Sequence, residues 1–243
     1  MFCQKCGTAV AGTLTACPSC NTPLAALATG AGTTAVADTV KAASRDALGA
    51  FKQLAGNPVG ALPAAYAALG DAKALRAGVA FGVVSLFSFL LGGYLLLPDF
   101  FKEDLFEVLG FGGVMKCLLF GAMPFLCTAA GSLGVRKALG GRGALGADTF
   151  IAGAALLAPS LCMLLAGMLG AGNFEVIGIL AVFAGCTAVL TLFSGYTRIA
   201  QLTERAATLA VPLVVILGAW LAKVVATSVL SGPGGSSNSP FTF

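Results

Sequence analysis

The sequence predicts an all-α polytopic membrane protein, with five transmembrane helices preceded by a small cysteine-rich module. Three observations predict it. Of 243 residues, 58% are apolar and 10% charged, and the mean hydropathy is +0.94. Soluble domains have roughly a quarter of their residues charged, so this chain needs lipid around much of its surface. Five runs, at about residues 77–97, 112–133, 150–171, 175–197 and 208–230, reach the ~20 apolar residues that cross a bilayer as a helix. Ahead of them, Cys3, Cys6, Cys17 and Cys20 form two Cys-x2-Cys pairs.

The cysteine module is the most specific signal. Each Cys-x2-Cys turn directs two sulfurs toward one point, and a short hairpin between the turns completes a tetrahedral thiolate site. Gly7 suits the positive φ that follows the second sulfur, and Pro18 stiffens the second turn. A module of about 20 residues buries no useful core, so one structural Zn2+ per chain would supply most of its folding free energy. All four ligands are sulfur, which leaves no open coordination position for catalysis. A rubredoxin-like iron site needs a longer insert with packed aromatics, and there are none between Cys6 and Cys17. A redox dithiol or a pair of disulfides is the other competing reading. It is disfavoured because MFCQKCGTAVAG lacks the basic and apolar regions of a secretory signal. The N-terminus is therefore expected to stay uncleaved in the cytoplasm, where thiols remain reduced.

The stretch FCQKCGTAVAGTLTACPSCNTPL resembles the zinc ribbon that opens many bacterial membrane proteins. That ribbon usually ends Cys-Pro-x-Cys-Gly; here Asn21 stands in the glycine position, and Asn is the next-best residue for a left-handed backbone. The resemblance implies metal binding at Cys3, Cys6, Cys17 and Cys20 over residues 1–23 and does not indicate a partner.

Residues 24–35 are small, uncharged and rich in Gly and Thr, the composition of a flexible linker. Residues 36–76 read as cytoplasmic amphipathic helices. Val36, Val40, Ala43, Ala47, Phe51 and Leu54 recur at spacings of three and four, and the pattern ends at Gly56-Asn57-Pro58. That first helix could pack on the protein, lie in the lipid interface or bind a partner. A short second helix starts at Pro63, a first-turn proline. Gly70 breaks it, and Asp71 is placed to cap the next helix.

Residues 77–230 hold the bundle. Gly92, Gly93, Gly121, Gly131, Gly153, Gly167, Gly178, Gly185 and Gly218 suit close contact between membrane helices. Eleven of the fourteen basic residues lie ahead of the first run, between the second and third, or between the fourth and fifth. The intervening segments carry Asp99, Glu103, Asp104, Glu107 and Glu175. Basic segments stay cytoplasmic, so the N-terminus is expected inside and the C-terminus outside. Lys116 and Lys223 lie near outer ends and are expected to snorkel; an ion pair or a transport role are the other readings of Lys223. Cys117, Cys127, Cys162 and Cys186 read as small core residues. Residues 231–243, SGPGGSSNSPFTF, read as a disordered tail.

The five-run layout and the segment LFSGYTRIAQLTERAATLAVPLVVIL are similar to the Yip family of membrane proteins. Gly195, Tyr196, Arg198, Thr203, Arg205 and Ala206 occupy the family's Tyr-containing end of span four and the loop after it. Gly56-Asn57-Pro58-Val59-Gly60 looks like its Asn/Asp-Pro element. The resemblance covers about residues 50–230. Eukaryotic Yip proteins associate with Rab GTPases in vesicle traffic, but fusion to a zinc ribbon looks bacterial, and that function is not carried over.

The chain has no histidine, which excludes imidazole metal ligands, His-dependent triads and His-based proton relays. There are no paired intramembrane carboxylates and no Gly-x-Ser-x-Gly turn, so no enzyme is expected. One basic residue and one aromatic in residues 1–35 argue against nucleic acid. The expectation is a non-enzymatic scaffold of the bacterial cytoplasmic membrane. Its ribbon would dock a cytoplasmic or membrane protein, and the bundle leaves room for a homo-oligomer. The alternative is a small transporter or channel subunit, whose weakness is that runs one, three and four have no internal acidic or basic residue.

Overall fold

The computed structural model describes residues 32–170 and 172–230. The zinc ribbon at 1–23, most of the linker at 24–35 and the tail at 231–243 lie outside the described residues. The chain divides into two units, Met1–Ala42 and Ala43–Phe243. In the first, the described part is helical from Gly32, so the end of the expected linker is helix. In the second, six helices are joined by short turns, and no strand occurs among the described residues. They are α1 (Gly32–Gly56, which begins in the first unit), α2 (Leu62–Leu96), α3 (Asp99–Ala138), α4 (Leu145–Leu169), α5 (Phe174–Arg198) and α6 (Glu204–Leu230). Five of these, α2 to α6, are long and apolar enough to span a membrane.

Three boundaries differ from the sequence expectation. The short helix at Pro63 and the first span form one helix with a kink at Gly70, whose φ of 67° only glycine adopts cheaply. The acidic stretch after Pro98, expected as a loop, is the start of α3. At 40 residues that helix is about 60 Å long, twice the ~30 Å of a hydrocarbon core, and its apolar part is Gly113–Ala138. The third span begins at Leu145 rather than 150, which brings Asp148 inside it.

The distribution of sizes is that of a membrane bundle. Large apolar side chains lie outside: Ile179 is 69% exposed and Val182 is 68% exposed. The interior is dominated by small residues such as Ala74, Ala77, Ala147, Ala152, Ser85 and Ser160. Lipid is as apolar as a leucine core, so helices gain little by turning leucine inward. They gain by close backbone approach, which small residues permit.

The closest approach joins α2 to α4, the central helix. On α2, Gly78, Ser85 and Gly92 recur every seven residues, and on α4, Gly153, Ser160 and Gly167 do the same. A seven-residue repeat keeps one seam facing its partner along a left-handed crossing. A Cβ on Gly153 would lie 2.5 Å from the Gly78 carbonyl oxygen, and one on Gly167 would lie 2.6 Å from that of Gly92. Between them the Ser160 hydroxyl donates to Ser85 Oγ at 3.3 Å. Contacts climb both helices in the same order, so α2 and α4 run parallel, with α3 returning between them in sequence. Of the other glycines expected at contacts, Gly121 abuts Leu90 and Gly131 abuts Val214. Gly178 and Gly185 face open space.

Candidate functional site

Polar side chains that cannot be left bare in an apolar bundle gather at one end of it. This end comprises the start of α2, the end of α3, the start of α4, the end of α5 and the start of α6. At its centre Arg136, in the last turn of α3, meets Asp148, in the first turn of α4. The guanidinium is bidentate: Nε donates to both carboxylate oxygens at 3.0 Å, and Nη2 donates to Oδ2 at 2.8 Å. The Asp148 side chain is fully buried and that of Arg136 is 11% exposed. Two fork donors on one carboxylate form the strongest geometry available to such a pair. It closes the α3–α4 hairpin around the turn at Gly140 and Gly143, both with positive φ.

The neighbouring contacts tie other elements to this hairpin. One turn above Arg136, the Ser132 hydroxyl hydrogen-bonds the hydroxyl of fully buried Tyr196 at 2.8 Å, joining α3 to α5. The backbone N–H of Arg142 donates to the Ala200 carbonyl at 2.8 Å, which fixes the α3–α4 turn against the α5–α6 turn. Ser194 Oγ donates to the Val59 carbonyl at 3.0 Å. Val59 belongs to the tight turn in which Asn57 Oδ1 accepts the N–H of Gly60 at 2.8 Å. The Asn57-Pro58 element and the Tyr196 region, far apart in sequence, are thus brought together. The sequence expects Asp71 to cap a helix; in the fold its carboxylate accepts the Tyr66 hydroxyl. The Tyr66 ring packs on Phe150 of α4, with centroids 5.9 Å apart.

Every buried side-chain nitrogen and oxygen among the described residues has a hydrogen-bond partner. The cluster therefore clasps the ends of several helices together. Among the described residues no group of three or more Cys, Asp or Glu side chains could hold a metal ion. The predicted ligands Cys3, Cys6, Cys17 and Cys20 lie outside the described residues. Of the remaining cysteines, Cys127 and Cys162 are buried as expected, Cys117 is half-buried and Cys186 is exposed on α5. Lys116 and Lys223 are both exposed on the bundle surface.

Sequence reasoning misses Asp148 because the third apolar run begins two residues beyond it, and it treats Arg136 as a loop cation. A usable signal is present. The two residues flank the glycine-rich turn between consecutive spans, each set a few residues inside its helix, and an antiparallel hairpin pairs such positions. The third span therefore does contain a charged residue, contrary to the sequence expectation. Searches of protein-family models, curated proteins and solved structures find no match to this chain.

Proposed function

We propose that this chain is a non-enzymatic membrane scaffold of the bacterial cytoplasmic membrane, similar to the Yip family in its five-span layout. Cys3, Cys6, Cys17 and Cys20 hold one structural zinc, and the folded ribbon is the surface that docks a cytoplasmic or membrane protein. The observation that carries this reading is the paired Cys-x2-Cys spacing, ten residues apart, ahead of the first amphipathic helix. The bundle suits a rigid mount in one respect: among the described residues its buried side-chain polar atoms all have hydrogen-bond partners. The distribution of basic residues favours a cytoplasmic N-terminus.

Metal analysis of the full chain purified under reducing conditions tests the reading. The expected result is one zinc per chain, lost on Cys17→Ser or Cys20→Ser with the bundle still inserted. A partner that co-purifies with the native chain and not with Cys3→Ser/Cys6→Ser is expected in the same preparation. Iron, or no metal, refutes the zinc site; equal recovery of all partners by both chains refutes the docking role.

A further inference from the structure

We propose that α1, over residues 43–56, is an interfacial helix that holds the bundle end against an anionic lipid surface. This stands apart from the docking role of the ribbon and rests on two observations. The first is how α1 divides its faces. Ala47, Ala50 and Leu54 are buried in the core that also contains Leu62, Phe150 and Tyr196, so α1 is fixed to the clasped end of the bundle. Turning ~100° per residue, Phe51 and Leu48 follow on one flank of that buried face. They are 37% and 55% exposed. Beyond Leu48 come the exposed Lys52 and Arg45, within ~20° of each other. The opposite flank is polar and small, with Asp46, Gln53 and Gly49. A helix with its acid on one flank, apolar residues on the other and its cations on the face turned away from the bundle suits an interface. There Phe and Leu enter the acyl boundary while Lys and Arg meet phosphates. Although α1 is 25 residues long, Asp38, Lys41, Arg45, Asp46 and Lys52 make it too charged to cross a bilayer core, and it is not among the five helices apolar enough to span.

The second observation is the charge of the bundle end to which α1 is fixed. Lys73, Arg76, Lys137, Arg142, Arg198 and Arg205 are all exposed there. They come from α2, α3, α5, α6 and the α3–α4 turn and outnumber the exposed acids of that end, Asp71 and Glu204, so its net charge is positive. If α2 to α6 cross a bilayer, these basic residues lie at its surface, and α1 lies beside them with Phe51 and Leu48 partly exposed. The complementary occupant is a layer of anionic phospholipid. Each Lys or Arg held at such a surface favours it by about 1 kcal/mol, and salt screens the attraction.

The test uses the full-length chain in phosphatidylcholine vesicles with or without phosphatidylglycerol, with acyl chains brominated to quench tryptophan. Trp220, the single tryptophan, is 58% exposed and is replaced by Phe. In that background Phe51→Trp reports one flank. Gly49→Trp reports the other, at a position where nothing lies within 4 Å of an added Cβ. The expected result is blue-shifted emission and strong quenching for Phe51→Trp, and water-like, unquenched emission for Gly49→Trp. Phosphatidylglycerol should increase the Phe51→Trp quenching about twofold, and adding Arg45→Gln/Lys52→Gln should reduce that increase. Both charges are exposed, so the substitution does not disturb the core. Equal quenching on the two flanks, or no quenching at Phe51→Trp, overturns the interfacial placement. A phosphatidylglycerol response unchanged by Arg45→Gln/Lys52→Gln overturns the recognition of anionic lipid.

Discussion

A single charge inside an apolar bundle must be neutralised or avoided. Asp148 is neutralised by Arg136, and each is the other's main justification. Removing one partner strands the other, so Asp148→Asn or Arg136→Leu should each cost about 3–5 kcal/mol of bundle stability. Replacing both by apolar residues of similar size, as in Arg136→Met/Asp148→Leu, should restore most of the loss, because desolvation of the pair is relieved as well. Denaturation of the purified chain in mixed micelles measures this. A double variant no more stable than either single one would show that the pair is not the source of the cost. Neither residue stands out by itself; the signal lies in their placing on either side of the glycine-rich turn. Each has an ordinary local role, a basic residue at a helix C-terminus and an acid at an N-terminus, and only the hairpin geometry makes them partners.

Between elements, the controlling quantity is how closely two backbones approach. The seven-residue recurrence of small residues on α2 and α4 is visible in the sequence, but the pairing of these two helices rather than of chain neighbours is not. It depends on α3 leaving room for α2 and α4 to meet. The close contacts at Gly92, Gly121, Gly131, Gly153 and Gly167 are legible because glycine has few other uses within a membrane helix. The exposure of Gly178 and Gly185 is not, because composition does not tell which face of α5 a glycine occupies. The two classes should respond oppositely. Gly153→Val places its Cβ 2.5 Å from the Gly78 carbonyl and forces α2 and α4 apart, a cost of several kcal/mol by analogy with overpacked cores. Gly178→Ala and Gly185→Ala meet nothing within 4 Å and should be neutral or stabilising by up to about 1 kcal/mol, since alanine is the better helix former. Helical content and thermal unfolding of the three variants in one detergent decide it. A destabilised Gly178→Ala or an unaffected Gly153→Val would contradict the packing.

For the whole molecule, charge and packing bear on the same question of orientation from different directions. The parallel run of α2 and α4 requires them to cross in the same sense, with α3 crossing back, so the end holding Arg136 and Asp148 is common to all five apolar helices. That end carries six exposed basic residues against the exposed acids Asp71 and Glu204, while Asp99 and Glu175 begin helices at the other. Positive segments resist translocation, so the basic end should face the cytoplasm together with α1. Five crossings then bring the end of α6 to the opposite side. A phosphatase that folds only outside the cytoplasm should be active when fused after Phe243, and a fluorescent protein that matures only inside should be dark there. Both should reverse when fused after Arg142, within the turn between α3 and α4. Fluorescence at the Phe243 fusion would invert the bundle. It would also place the cysteine pairs in an oxidising compartment, where two disulfides rather than a zinc site become the expected state of Cys3, Cys6, Cys17 and Cys20.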